Sequence, residues 1–345
     1  MKTQHLQFEL PSDLEASAPA EYRGLRRDRV RLLVLPRFKG IITHSRFDAL
    51  GDFLDRGDLL VLNNSRTLPA VLQARNENGA LVEVRLAQRM SEDVWEALIL
   101  DDRRRVGRLD MKLKFDPGLS AVVVAPGHDQ PFLWQVRFDR CCADLLDLIY
   151  RLGVPVRYSY VPEKLPLDLY QTVYASRPGS VEMPSAGRAF SWELLFKLRQ
   201  KGVDFASITL HAGLSSTRDE VLDASQPNSE EEFEIPGPAA EAVNNAHRHG
   251  RRVIAVGTTV VRALETVANP DRTMGAGRGR TRLHITRGTP LKVVDSVLTG
   301  LHEPQASHLD LLSAFVEPDR LMAAYREAIK RRYLWHEFGD MNLIL

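Results

Sequence analysis

The chain is poor in cysteine and has no long apolar run, which argues against a disulfide-rich secreted protein and against a membrane-spanning one. Its 345 residues include two cysteines, Cys141 and Cys142, which are neighbours and cannot build a disulfide framework. Such sparse cysteine is typical of a reducing compartment, so we expect a cytoplasmic protein. No apolar stretch approaches the ~18–20 residues that a membrane span requires, and the N-terminus lacks the apolar segment of a secretory signal.

Common metal-binding motifs are also missing. The sequence contains neither a CxxC pair nor an HExxH pattern, which are frequent signatures of structural and catalytic zinc. A structural or catalytic zinc site therefore has no support in the sequence.

Charge is balanced over the whole chain but clustered along it. The net charge is +1, from 46 Lys and Arg against 45 Asp and Glu. Single clusters are usually solvated surface, whereas several on one face would form a surface that follows phosphate groups. The basic clusters lie at 23–31, 103–114, 247–252 and 330–332.

Most of the chain has the pattern of an α/β protein. Strand-like segments at 31–35 and 58–64 flank a helix-like segment at 45–57. From residue 143 onward helices and strands alternate, which indicates a sheet with substantial parallel pairing. Gly153 ends the first of these helices, while Ser191 caps the next one.

The stretch between these two parts has a different sequence pattern. Residues 66–142 form short alternating segments separated by Gly, Asp and Pro, which predicts a small antiparallel sheet or barrel. We predict a larger α/β domain made of residues 1–65 and 143–345, with residues 66–142 inserted as a β-barrel domain. The Gly- and Arg-rich segment 269–282 is predicted to be a mobile loop.

Three segments follow predicted strands, at the place where α/β sheets bind ligands. In the first, Gly257 permits a tight turn, Thr258 or Thr259 can cap the next helix, and Arg262 lies one turn further on. This arrangement suits a carboxylate or phosphate. An ordinary helix cap with a surface arginine explains the same pattern.

The second segment has His211 directly after the strand 205–210. A histidine there can serve as a general base near neutral pH, although a core histidine bonded to one carbonyl is commoner. The third segment, 178–195, is rich in small residues that let a flat ligand approach the backbone. Packing against a neighbouring helix is the simpler interpretation of that segment.

The order of the motifs is more specific than any one of them. The chain carries, in this order, DLLVLNNSR, YQTVYA, PGSVEMPSAG, ITLHAGL, FEIP, RVIAVGTTVVRALE, LKVVD, LHEP, LLSAF and FGD. Over about residues 8–345 this series resembles the S-adenosylmethionine:tRNA ribosyltransferase-isomerase family of queuosine biosynthesis. The resemblance implies an α/β domain interrupted by a small β-barrel.

The resemblance also implies a reaction. S-adenosylmethionine, as co-substrate, gives its ribosyl part to the aminomethyl group of a 7-deazaguanine base in tRNA. Epoxyqueuosine forms, adenine and methionine leave, and the chemistry needs no metal. The implied partner is tRNA with a GUN anticodon, no membrane is involved, and the oligomeric state is open with a monomer favoured.

Site residues follow from the positions that match the family motifs. His211 and His302 are the candidate acid and base, and Glu231 is a candidate to orient a ribose hydroxyl or hold an amine. The candidate substrate-binding residues are Tyr170, Gln171, Thr172, Ser180, Pro184, Ser185, Gly187, Gly213, Thr258, Thr259, Arg262 and Asp340.

Several motif loops depart from the family pattern. Where the family reads PTAGLHFT this chain reads PSAGRAFS, so Arg188 replaces an apolar residue and Ala189 a histidine. Gln226 and Ser229 replace two more histidines. Because rewritten loops on an intact scaffold suggest a changed ligand, three interpretations stay open. The protein is a divergent tRNA-modifying enzyme, a paralogue that uses S-adenosylmethionine with another acceptor, or an inactive binding protein.

Overall fold

A large sheet and a small barrel make up the computed structural model, which describes residues 7–102, 104–128, 130–215, 230–304 and 306–345. The strands are β1 Arg31–Leu35, β2 Thr43–Arg46, β3 Leu59–Asn63, β4 Ser65–Thr67, β5 Val71–Asn76, β6 Leu81–Arg89, β7 Val94–Asp101, β8 Arg104–Arg105, β9 Lys112–Phe115, β10 Leu119–Pro126, β11 Trp134–Phe138, β12 Arg177–Ser180, β13 Asp204–Leu210, β14 Glu231–Ile235, β15 Val253–Val256, β16 Gly277–Thr281, β17 Ser296–Gly300 and β18 Met341–Ile344. The helices of the described residues are α1 Cys142–Leu152, α2 Trp192–Lys201, α3 Gly237–Arg248, α4 Thr258–Val267, α5 Ser307–Leu312 and α6 Pro318–Lys330.

The large sheet has nine strands in the order β16-β14-β13-β3-β15-β17-β18-β1-β2. Its four central strands, β13, β3, β15 and β17, all run in the same direction. The carboxyl ends of these four strands therefore lie at one edge of the sheet.

Helices cover both faces of this sheet, because successive strand residues point to opposite sides. In β1, Leu33 and Leu35 join a core with α3, α4 and α6, whereas Leu32 and Val34 join a second core with α2. The near-continuous apolar sequence of the central strands follows from this double burial.

The small sheet closes on itself. Strands β11, β10, β9, β5, β6 and β7 pair in sequence, and an additional pairing of β11 with β7 completes a six-stranded antiparallel barrel. Apolar side chains alternate inward, as in β9, where Leu113 and Phe115 are buried and Lys112 and Lys114 are exposed. The predicted fold class, an α/β domain with a small β-barrel, is confirmed.

The boundaries 66–142 for the inserted domain stay a prediction. The barrel strands run from Val71 to Phe138, but Leu145 and Ile149 of α1 belong to the same hydrophobic cluster as the barrel interior.

Some local expectations are confirmed and others are wrong. The Ser191 side chain accepts a hydrogen bond from the Leu194 amide at 3.1 Å, and Gly153 ends α1, as predicted. The predicted helix at 45–57 is wrong: β2 pairs with β1, and the remaining residues form a 3₁₀ turn at Phe47–Phe53. Pairing with β1 takes up the start of this segment as strand, and the rest forms the tighter 3₁₀ turn.

The segment predicted as a mobile loop contains a strand. β16 pairs with β14 in antiparallel register, and Arg278 forms an ion pair with Glu234 at 2.7 Å. Opposite charges on adjacent strands offset the low strand preference of the glycines there.

None of the described helices combines the length and apolarity that crossing a membrane would need.

Candidate functional site

The parallel strands bring the predicted site segments to one edge of the sheet. His211 follows β13, Ser65 lies just beyond β3, Gly257 follows β15, and His302 lies just beyond β17. Three inter-strand spacings separate β13 from β17, so the two histidines are about 14 Å apart along the edge. This distance suits a long ligand that contacts both.

His211 is held by two serines. Its Nδ1 lies 2.7 Å from Ser65 Oγ, which in turn lies 2.6 Å from Ser180 Oγ. The Ala212 amide donates to Ser180 Oγ at 3.0 Å. This chain of hydrogen bonds fixes the ring, and no hydrogen bond within the described residues involves Nε2.

The ring of His211 lies against the backbone of Gly179. A Cβ atom added at Gly179 would be 2.4 Å from His211 Cε1, so only glycine fits here without a shift. His211 and Gly179 line a cavity of about 60 Å³ between the barrel and the sheet, which Arg89 and Glu232 also line. A wider groove of about 480 Å³ shares these last two residues and continues along β16.

Burial controls the charge of His211. It lowers the pKa of the imidazole, Glu232 acts in the opposite direction, and Arg89 lowers the pKa further. The ring is therefore mostly neutral at pH 7, and a neutral imidazole can accept a proton.

His302 lies at the other end of the strand edge. Its Nε2 is 2.9 Å from Thr299 Oγ1, and its ring stacks on His308 with centroids 4.6 Å apart. Burial, followed by the neighbouring histidines His308 and His336, lowers the pKa of His302 well below its ordinary value. His302 is thus a second neutral imidazole on this edge.

The small-residue loop contacts the start of α4. Residues Ser185–Gly187 form a 3₁₀ turn, preceded by Pro184, and a Cβ at Gly257 would lie 3.3 Å from Ala186 Cβ. A Cβ at Gly187 would be 2.0 Å from the Tyr174 hydroxyl. Small residues are needed at both positions because the loop packs closely over the sheet edge.

Arg188 points into the protein. It donates to the Leu169 carbonyl at 2.9 Å, pairs with Glu21 at 2.8 Å, and lies over the Phe338 ring. The departure from the family at this position therefore anchors the loop to the N-terminal segment. Ala189 is buried as well.

The expectation that a threonine caps α4 is wrong. The N-cap residue is Gly257, and no side chain in the described part of the protein caps this helix; Thr258 is buried and Thr259 is half-buried. With its φ of 104°, Gly257 turns the chain so sharply that the first threonine already lies within the helix.

Glu231 and Arg262 pair with each other. Arg262 Nη1 lies 2.5 Å from Glu231 Oε2, and Arg262 Nε donates to the Leu283 carbonyl at 3.2 Å. Burial raises the pKa of Glu231, and Arg262 opposes that rise. The pair joins β14 to α4, so each partner already has a charged neighbour inside the protein, and their roles toward a ligand stay predictions.

Removal of Arg262 should therefore destabilise the fold. We expect Arg262→Met to lower the free energy of unfolding by roughly 3–5 kcal/mol, because Glu231 would remain buried without its partner. The double variant Glu231→Gln with Arg262→Met should recover part of this loss. Denaturant unfolding measures both, and an unchanged midpoint for Arg262→Met would contradict a structural role.

The remaining predicted site residues lie around β4 or near the C-terminus. The Gln171 side chain forms hydrogen bonds with both backbone groups of Thr67: its Oε1 accepts from the Thr67 amide at 3.0 Å, and its Nε2 donates to the Thr67 carbonyl at 2.8 Å. The side-chain oxygens of Tyr170 and Thr172 are buried and have no hydrogen-bond partner among the described residues. Asp340 accepts from the backbone and side chain of Arg31.

Three further positions complete the comparison with the sequence. Gly213 is half-buried beside His211, whereas Gln226 and Ser229 lie outside the described residues. Ser65 is a site residue that the sequence did not indicate, because Asn63 and Asn64 before it are typical of a turn that ends a strand.

One group of possible metal ligands occurs in the described part of the chain. Glu92, Cys141 and Cys142 are exposed, and their ligand atoms lie within 4.8 Å of one another. The expected lack of a metal cofactor stays a prediction.

Comparisons with known proteins show the family of this chain. The family model described as queuosine biosynthesis protein matches residues 3–344. The chain is 38% identical to the S-adenosylmethionine:tRNA ribosyltransferase-isomerase of Thermotoga maritima and 40% identical to that of Carboxydothermus hydrogenoformans, with 100% of both chains covered in each case. It is 41% identical to the protein of that name from Thermus thermophilus, over 92% of this chain and 93% of the relative.

A solved structure is similar as well. The crystal structure of S-adenosylmethionine tRNA ribosyltransferase from Thermotoga maritima matches with a TM-score of 0.56 and 33% identity, over 99% of each chain. With the family model spanning nearly all residues and relatives near 40% identity over the full length, the chain belongs to the queuosine biosynthesis protein family.

Proposed function

We propose that the protein transfers and isomerises the ribosyl part of S-adenosylmethionine onto a 7-aminomethyl-7-deazaguanine base in tRNA. Adenine and methionine are released and epoxyqueuosine is formed. The single observation that carries this proposal from the structure is the position of His211. A neutral, anchored imidazole lies at the carboxyl edge of the parallel strands, beside a groove whose volume is typical of a ligand site.

In this reaction His211 removes the proton on the carbon next to the sulfonium. For Nε2 to accept a proton, Nδ1 must carry the other one and donate it to Ser65 Oγ. Ser65 can then donate to Ser180 Oγ, which leaves the imidazole in the tautomer that a base requires. The two serines are thus positioning residues for His211.

The two alternatives receive less support. A paralogue with another acceptor or an inactive binding protein would be compatible with the altered loops. The three relatives named above share one activity, and the changed residues Arg188 and Ala189 are buried in the fold. A GUN anticodon, a cytoplasmic location, independence of metal and a monomeric state are further parts of the proposal.

The proposal is tested by incubating the protein with S-adenosylmethionine and an anticodon stem-loop RNA that carries 7-aminomethyl-7-deazaguanine. Mass spectrometry should detect adenine, methionine and the modified base in equal amounts. The same RNA with guanine at that position is the matched control. Release of adenine without any RNA dependence would favour the paralogue, and no release under any condition would favour an inactive protein.

The pH profile should report the neutral form of His211. Because burial lowers the pKa of this group, kcat/KM for adenine release should rise with pH through a midpoint below about 6.5 and then stay level to about pH 8. Glu232 raises the pKa of His211, so the midpoint measured for the Glu232→Gln variant should be lower than that of the unmodified protein. A midpoint above pH 7 in the unmodified protein would rule out this assignment.

A further inference from the structure

Two exposed arginines lie on the ribbon that holds His211. β4 and β12 pair in parallel, with Ser65 opposite Arg177 and Arg66 opposite Pro178. Ser65 and Ser180 are buried and face the histidine, whereas Arg66 and Arg177 are exposed. Because residues paired in register share a face, Arg177 lies on the Ser65 face and Arg66 on the other, so each face of the ribbon carries one exposed guanidinium group next to the site.

Neither arginine has a partner among the described residues. No ion pair, hydrogen bond or aromatic contact involves the side chain of Arg66 or of Arg177. Some arginines of the clusters that the sequence makes conspicuous are paired instead. Arg252 pairs with Asp55 and Asp58, and Arg31 pairs with Asp340.

The ribbon that carries the two arginines is well anchored. The Asn64 carbonyl accepts from the amides of Ser176 and Arg177 at 2.9 and 3.1 Å, and the Leu68 amide donates to the Ser180 carbonyl at 2.8 Å. The Gln171 side chain also holds β4 through its two hydrogen bonds with the backbone of Thr67. The two guanidinium groups therefore project from a backbone fixed relative to the base.

We propose that Arg66 and Arg177 bind backbone phosphates of the RNA substrate on either side of the modified base. Guanidinium groups match phosphate geometry, and an unpaired exposed cation loses no protein partner when it binds. One cation follows Ser65 in β4 and the other lies opposite it in β12, so both bring the RNA backbone to the mouth of the His211 cavity, which Pro178 and Gly179 line. This inference rests on the proposed function, because it takes tRNA to be the substrate.

The test measures the binding of a fluorescent anticodon stem-loop RNA by anisotropy over a range of salt concentrations. Arg66→Ala and Arg177→Ala should each weaken binding about tenfold at low salt. The double variant should also lower the slope of log K against log salt by about 1.4, since each single-strand phosphate contact contributes roughly 0.7. Lysine at both positions should keep most of that slope, because the charge is retained.

The matched control is Arg326→Ala. Arg326 is exposed and lies on α6, which packs against β1, four strands away from β3 in the sheet. It should bind RNA like the unmodified protein. Affinity for S-adenosylmethionine alone should be unchanged in all variants.

Two results would overturn the inference. One is an unchanged RNA affinity and salt slope in the double alanine variant. The other is an equal loss of affinity for S-adenosylmethionine, which would place the arginines in that site instead. In either case the proposed function stands as long as the unmodified protein releases adenine in the presence of the RNA, so the two failures are distinguishable.

Discussion

His211→Ala is expected to lower the rate of adenine release by about 10²–10⁴-fold, the usual contribution of a general base. Affinity for S-adenosylmethionine should change little, because the proton is removed only in the transition state. The loss should therefore appear in kcat more than in KM, as measured by single-turnover release of adenine in the presence of RNA.

The matched control for this variant is His249→Ala. His249 is exposed after α3, where its Nδ1 contacts the Asn245 carbonyl at 2.8 Å, so its removal should leave the rate unchanged. Ser65→Ala should have an intermediate effect of about tenfold, because the ring remains but its tautomer is no longer fixed. If His211→Ala releases adenine at the rate of the unmodified protein, the acid–base role passes to another group, with His302 the next candidate.

The sequence predicted the fold because burial on both sides of a sheet leaves a strong pattern. Apolar runs such as 59–62 belong to the central strands, and the alternating segments after residue 66 belong to the barrel. Helix ends with a specific cap were predicted correctly at Ser191 and Gly153. The failures at 45–57 and 269–282 both involve strand pairing, of β2 with β1 and of β16 with β14, which the local sequence does not show.

The site was less predictable than the fold. Residues directly after a strand, such as His211, are visible because topology brings strand ends together. Ser65 and Arg66 look like ordinary turn residues until β4 pairs with β12, more than 100 residues away in sequence. The charge clusters of the sequence contain arginines such as Arg31 and Arg252, which pair with acids in the fold. Arg66 and Arg177 lie outside these clusters and have no side-chain partner among the described residues.

The partners of polar residues could not be predicted from the sequence either, because they depend on how the chain packs. Arg262 in sequence has the position of a ligand anchor, but its guanidinium contacts Glu231 on a strand about 30 residues earlier. Arg188 looked like a change in what the loop presents to a ligand, yet it is buried against Glu21 and Phe338. A polar residue at a strand end thus indicates a possible ligand-binding or catalytic position. Only the packing shows whether its side chain is free to contact a ligand or is already paired inside the protein.

Gly179→Ala should lower kcat by about 10²-fold while the protein stays folded. The added methyl group would be 2.4 Å from Cε1 and 2.5 Å from Nδ1 of His211, so the ring must move away. This movement breaks the 2.7 Å contact with Ser65, and a displacement of about 1 Å in a reacting group can cost that much in rate.

The matched control is Gly275→Ala, at an exposed glycine whose added Cβ would meet no atom within 4 Å. It should leave both the rate and the melting temperature unchanged. Gly179→Ala should likewise keep its RNA affinity, because the three atoms nearest to the added Cβ all belong to His211 and none to Arg66 or Arg177. A Gly179→Ala protein with normal kcat would show that the position of the imidazole ring does not limit the reaction, and the role of His211 as the base would then be untenable.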